Sequence, residues 1–110
     1  MTKRINDSKI TGMILRNVPI EYREDIRKAT RLLKSEGGKS VYLFGSVVTG
    51  KTHARSDIDI GVKGLPPEKF FKTYSKLYTG FDNEINLVDF DRDDSLFALL
   101  EKCDEVVEIG

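Results

Sequence analysis

Gly45-Ser46-Val47-Val48-Thr49-Gly50-Lys51-Thr52-His53-Ala54-Arg55-Ser56-Asp57-Ile58-Asp59 is the stretch on which the fold turns. It follows Val41-Tyr42-Leu43-Phe44, an apolar run typical of a strand buried on both faces. A strand that stops at Gly45-Ser46 exposes backbone N–H groups at a turn, and a helix starting there would aim its dipole at a phosphate. Gly45 lacks a Cβ, so the backbone can approach a ligand closely, and Ser46 adds a hydroxyl. Downstream, Asp57-Ile58-Asp59-Ile60-Gly61-Val62 alternates with period two. That pattern predicts a strand with Ile58, Ile60 and Val62 on one face and the two carboxylates together. Residues two apart on a strand have Cα atoms about 6.6 Å apart. Oxygens from both can reach one Mg²⁺, or two Mg²⁺ about 3.5–4 Å apart. Like charges this close favour a bound cation and are costly without one.

On the N-terminal side, Tyr22, Ile26, Ala29, Leu32 and Leu33 recur at helical spacing and predict a helix over 20–36, stopped by Gly37-Gly38. Residues 1–19 form an extension without a clear assignment: Asp7 or Ser8 can cap a short helix, Gly12 interrupts it and Pro19 ends it. On the C-terminal side, Gly64-Leu65-Pro66-Pro67 is a turn, with Pro67 opening a helix over 67–79. Its apolar stripe, Phe70, Phe71, Tyr74, Leu77 and Tyr78, is expected to be core. A third strand spans 84–90, and Asp93-Asp94-Ser95 caps a helix through Leu96, Phe97, Leu99 and Leu100. Val106, Val107 and Ile109 are expected to close the chain as a short edge strand. This order predicts one α/β (α+β) domain over 1–110, a short mixed β-sheet with helices packed against it.

A chain of 110 residues fits one domain with a modest core that partner surfaces can support. No stretch approaches the roughly 18–20 apolar residues of a membrane span, and residues 1–7 carry no secretory apolar run. The single cysteine, Cys103, has no internal disulfide partner and is expected to be a partly buried apolar residue in a reducing, cytoplasmic setting. Net charge is zero but divided: residues 82–110 hold ten acids against two bases, net −8, and residues 1–81 stand at +8. The basic front half suits an anionic ligand and the acidic back half a basic partner. Nucleic-acid binding has only that basic half in its favour.

The Gly-Ser after a buried strand, a glycine soon after, and Ser-Asp-Ile-Asp on the next strand together resemble the signature of the DNA polymerase β-like nucleotidyltransferase superfamily. Size and continuation over roughly residues 22–109 look most like the minimal nucleotidyltransferase (MntA-like) family. The resemblance implies a nucleotidyltransferase fold in which Gly45 and Ser46 bind a triphosphate and Asp57 and Asp59 are catalytic and bind Mg²⁺ (or Mn²⁺). Basic residues common before the next glycine are replaced here by Val47, Val48 and Thr49, so Lys51 and Arg55 are the nearest bases for phosphates. Ser56 is grouped with the nucleotide site and orients the Asp57 strand; His53 is a loop histidine. The family's third carboxylate is expected on the following strand, but Ile85-Asn86-Leu87-Val88-Asp89 puts Asn86 there. Asn cannot accept a proton from an attacking hydroxyl. Glu84 shares the strand parity of Asn86 and can lean in, whereas Asp89 has the opposite parity and faces away.

The implied function is Mg-dependent transfer of a nucleotidyl group, AMP from ATP or another nucleoside triphosphate, to an acceptor hydroxyl, with a partner protein among the candidate acceptors. The family resemblance implies a HEPN-type helical partner, and the small size also admits a homo-oligomer. The alternative is a catalytically weak or inactive antitoxin-like binding module of a HEPN/MNT toxin–antitoxin pair.

Overall fold

The computed structural model describes residues 3–4, 18–49 and 57–110. In chain order the elements are β1 (Lys3–Arg4), α1 (Ile20–Ser35), β2 (Ser40–Phe44), α2 (Ser46–Thr49), β3 (Ile58–Lys63), α3 (Pro67–Thr79), β4 (Ile85–Asp89), α4 (Asp94–Lys102) and β5 (Val106–Glu108). The chain is therefore the α+β domain that the pattern predicts. Pro19 stands at the N-cap of α1, and Gly37, at φ 107°, turns the chain out of it. Pro67 opens α3, and the Asp93 side chain caps α4 by accepting the Leu96 N–H at 3.3 Å.

The five strands form one mixed sheet in the order β1-β5-β2-β3-β4. β2 runs antiparallel to β3, with Phe44 opposite Asp59. β3 and β4 are parallel, with Asp59 opposite Asn86. The expectation of a terminal edge strand is corrected here. β5 lies inside the sheet, antiparallel to β2 on one side and parallel to β1 on the other. The partner on its outer side comes from Lys3–Arg4, in the N-terminal extension that periodicity left unassigned.

One face of the sheet presents Val41, Leu43, Ile58, Ile60, Val62, Ile85 and Leu87 to Tyr22, Ile26, Ala29 and Leu33 of α1 and Leu77 of α3. The other face stacks Tyr42, Phe44 and Phe90 beneath Phe97 of α4. Gly61 makes that stack possible, since a Cβ there would run into the Phe90 ring. Lys63 lays its ammonium 3.6 Å from the centre of the Phe97 ring, a cation–π contact at the rim.

Two burial expectations are corrected. Phe71 and Tyr78 are 77% and 72% exposed, not core. Each follows a residue that faces the sheet, Phe70 and Leu77, and the next helical position is turned about 100° away. With Tyr74, Ser75 and Thr79 they line a shallow groove of about 250 Å³ on the outer side of α3. Cys103 is exposed, because it lies in the turn that ends α4. Among the described residues no helix is long and apolar enough to cross a membrane.

Candidate functional site

The site gathers where β2 ends and β3 and β4 begin. Gly45, at φ 78°, turns the chain into α2, and its carbonyl accepts the Val48 and Thr49 N–H groups at 3.0 and 3.1 Å. A short helix thus begins at Ser46, as the phosphate-receiving geometry requires. Across the β2–β3 pairing, Gly45 abuts Asp59: a Cβ built on Gly45 would overlap the Asp59 Oδ2. The glycine is required twice, for its left-handed backbone and for the space its missing side chain leaves.

Asp57, just before β3, and Asp59, within it, are both half-buried. The Asn86 amide draws them together: Nδ2 donates to Asp57 Oδ2 at 3.1 Å and to Asp59 Oδ1 at 3.2 Å. The two carboxylates and Asn86 therefore share one face, in line with the i, i+2 spacing. Burial pushes the Asp59 carboxyl above its usual range; the Asn86 hydrogen bond lowers it and the Asp57 charge raises it further. Glu84 is exposed just before β4, and Asp57, through hydrogen bonding first and charge next, holds its carboxyl above the usual carboxylate range.

Of the other site expectations, Lys51 and Ser56, with His53 and Arg55, lie outside the described residues. Asp89 stands at the far end of β4, opposite Val62, and accepts the Asp91 N–H at 2.9 Å. Among the described residues no group of three His, Cys, Asp or Glu is placed to hold a metal ion. Two carboxylates beside an open turn instead match the way Mg²⁺ binds, through one or two carboxylates plus substrate phosphates and water. Burial already raises the Asp59 carboxyl, a cost that a cation at the pair would relieve.

One neighbouring pair is absent from the sequence reading. Asp25 of α1 is 3% exposed, and its Oδ2 accepts both the backbone N–H and the Nδ2 of Asn83, each at 2.9 Å. Its signal was a carboxylate three residues after Tyr22 and four before Ala29, on the apolar side of the helix.

The family model described as "Polymerase beta, Nucleotidyltransferase" matches residues 24–106. No curated protein matches the chain. Among solved structures, a toxin–antitoxin complex with AMP-PNP is similar at 27% identity and TM-score 0.60, over 84% of this chain and 73% of that one. An MntA-HpeT toxin–antitoxin with two aspartates, two positions apart, changed to glutamate is 26% identical at TM-score 0.59, over 76% and 71%. A tri-AMPylated HEPN toxin in complex with MNT antitoxin, from Shewanella oneidensis, is 24% identical at TM-score 0.55, over 80% and 71%, a likeness of fold.

Proposed function

Because this chain belongs to the polymerase β-type nucleotidyltransferase family, we propose that it transfers AMP from ATP, with Mg²⁺, to a hydroxyl of a HEPN-type helical partner. The observation that carries the reading is the convergence of Asp57 and Asp59 on Asn86, with Gly45 against Asp59. The likeness to a toxin–antitoxin complex with AMP-PNP supports a nucleoside triphosphate and a protein partner. The glutamate-substituted relative has its two changed aspartates at the same spacing as Asp57 and Asp59.

Each residue then has a task. Gly45 gives the triphosphate access to the turn, and Ser46 and the start of α2 supply donors to it. Asp57 and Asp59 hold the cation, which supplies charge neutralisation on the phosphates when bound. Asn86 keeps the two carboxylates convergent. The acceptor oxygen forms its bond to the α-phosphorus as the bond to the leaving oxygen breaks, and pyrophosphate departs with that electron pair. Glu84 takes the hydroxyl proton as general base. Lys51 and Ser56 complete the nucleotide-binding set.

Calorimetry tests the binding half. ATP should bind with Mg²⁺ and not with EDTA, and Asp57→Ala/Asp59→Ala should bind in neither. Equal affinity with and without Mg²⁺ would remove the basis of the proposal. A second reading is favoured by one feature: Asn86 occupies the third-carboxylate position and satisfies both aspartates by hydrogen bonding. On that reading the chain is an antitoxin-like module that binds its partner without modifying it. A tight partner complex unchanged by Asp57→Ala, with no pyrophosphate released, would select it.

A further inference from the structure

We propose that Asp25 and Asn83 are positioning residues for this site, a latch that sets the start of β4 so that Glu84 and Asn86 face Asp57 and Asp59; the inference rests on the nucleotidyl-transfer reading above. Three hydrogen bonds tie Asn83 to α1. Its backbone N–H and its Nδ2 both donate to Asp25 Oδ2 at 2.9 Å, and the same Nδ2 donates to the Glu21 carbonyl at 2.9 Å. Asp25 is buried, and a buried acceptor holds its donors in place, since losing them leaves it unsatisfied.

The position of the latch along the chain gives it leverage. Asn83 directly precedes Glu84, whose carbonyl accepts the Ile58 N–H at 2.9 Å. The rungs that follow are Ile58 opposite Ile85 and Asp59 opposite Asn86. Before the latch, Thr79, Gly80 and Asp82 are exposed, and Phe81 between them packs against the core with the Lys28 ammonium 5.1 Å from its ring centre, so the connection is held at Phe81 and at Asn83. A slip of one residue would place Ile85 or Leu87 opposite Asp59 and turn Asn86 to the other face. α1 itself is anchored in the core through Tyr22, Ile26, Ala29 and Leu33. The latch thus references the β4 half of the site to a rigid element, while Gly45 follows β2, Asp57 precedes β3 and Asp59 lies within it.

A purely structural pair would lower stability and leave the site's geometry and turnover per folded molecule unchanged, and this separates the two roles. The test uses the ¹⁵N-labelled full chain, with the Asn86 side-chain amide assigned by its loss in Asn86→Asp. In Asn83→Ala the Asn86 amide resonances should move toward solvent values, and the Ile58 amide should exchange about tenfold faster or more. Transfer to a HEPN-type partner should fall about 10- to 100-fold, the cost of a misplacement near 1 Å. Asp25→Asn should act alike, and the swap Asp25→Asn/Asn83→Asp, which restores a donor–acceptor pair, should recover part of each loss. Asn83 is a loop residue, so Asn83→Ala decides the matter if Asp25→Asn fails to fold. A folded Asn83→Ala with wild-type Asn86 resonances and Ile58 exchange would overturn the latch, whether or not transfer occurs. If those signals respond but the wild-type chain transfers nothing to any partner, the latch stands and the transfer reading fails.

Discussion

Gly45 lies against Asp59 so closely that a Cβ at position 45 would overlap the Asp59 Oδ2. Gly45→Ala therefore brings two costs, a left-handed backbone of about 1–2 kcal/mol and a displaced carboxylate. Gly37 is the control: its φ is also positive, but an added Cβ would meet only Pro66 at 3.4 Å. Urea melts should show Gly37→Ala destabilised by the backbone cost alone and Gly45→Ala by more. Calorimetry should show Mg-ATP binding lost in Gly45→Ala alone. A Gly45→Ala protein that binds Mg-ATP as the wild type does would separate the turn from the site.

The raised Asp59 carboxyl makes a pH prediction for the metal-free protein. Burial is the first cause and Asp57 repulsion the last, with the Asn86 bond opposing both. The folded state holds the Asp59 proton more tightly than the unfolded state does. Its contribution is complete below the unfolded value and is lost as pH rises through the folded value. Asp59→Asn should thus stabilise the protein at pH 7 in EDTA. The gain should fade as pH falls below the ordinary aspartate value of about 3.9, and Mg²⁺ with ATP should stabilise only the wild type. An Asp59→Asn variant weaker than wild type at pH 7 in EDTA would contradict this.

Much of this architecture is legible from residue order. The buried run Val41–Phe44, the alternation through Asp57 and Asp59, and Pro67 at a helix start each specify one local structure, and the chain adopts it. What escaped depends on long-range neighbours. The apolar stripe of α3 contains Phe70, Phe71, Leu77 and Tyr78, but periodicity cannot say how wide a strip the sheet covers. Val106–Glu108 looks like an edge strand until Lys3–Arg4 pairs beside it. Glu84 was recognised by strand parity, whereas Asp25 and Asn83 lie 58 residues apart and only the fold joins them. The bridging Asn86 amide had no sequence signal, because parity places a side chain without choosing which end of an amide faces a carboxylate.

The exposed aromatics of α3 give a stability contrast. Leu77 is fully buried and Phe71 is 77% exposed. Leu77→Ala should cost about 2–5 kcal/mol through the cavity it leaves. Phe71→Ser should change stability by no more than about 0.5 kcal/mol, the usual range at an exposed site. Denaturant midpoints measured on the isolated chain decide this. A Phe71→Ser loss comparable with that of Leu77→Ala would mean that the outer side of α3 is covered in solution.

The identity of the general base separates the enzyme from the binding module. Asn86 cannot take a proton from an attacking hydroxyl, and Glu84, which shares its strand parity, is the proposed base. General-base help is worth about 10²–10⁴-fold, or about 3–5 kcal/mol of barrier. With labelled ATP, Mg²⁺ or Mn²⁺ and a HEPN-type partner, Glu84→Gln should therefore lower transfer by that factor if Glu84 is the base. Asn86→Asp would then add little to the rate. It would also remove the amide that bridges Asp57 and Asp59 and place a third negative charge between them, so the metal-free variant should unfold more readily and regain stability with Mg²⁺. If Glu84 only orients Asp57, the wild type should be slow and Asn86→Asp should raise transfer toward the same 10²–10⁴-fold. If the chain is a binding module, neither substitution produces transfer, and partner affinity is the same in all three proteins. Fast wild-type transfer that survives Glu84→Gln would show that Glu84 is not needed as the base, and the proposed role of Glu84 would be wrong.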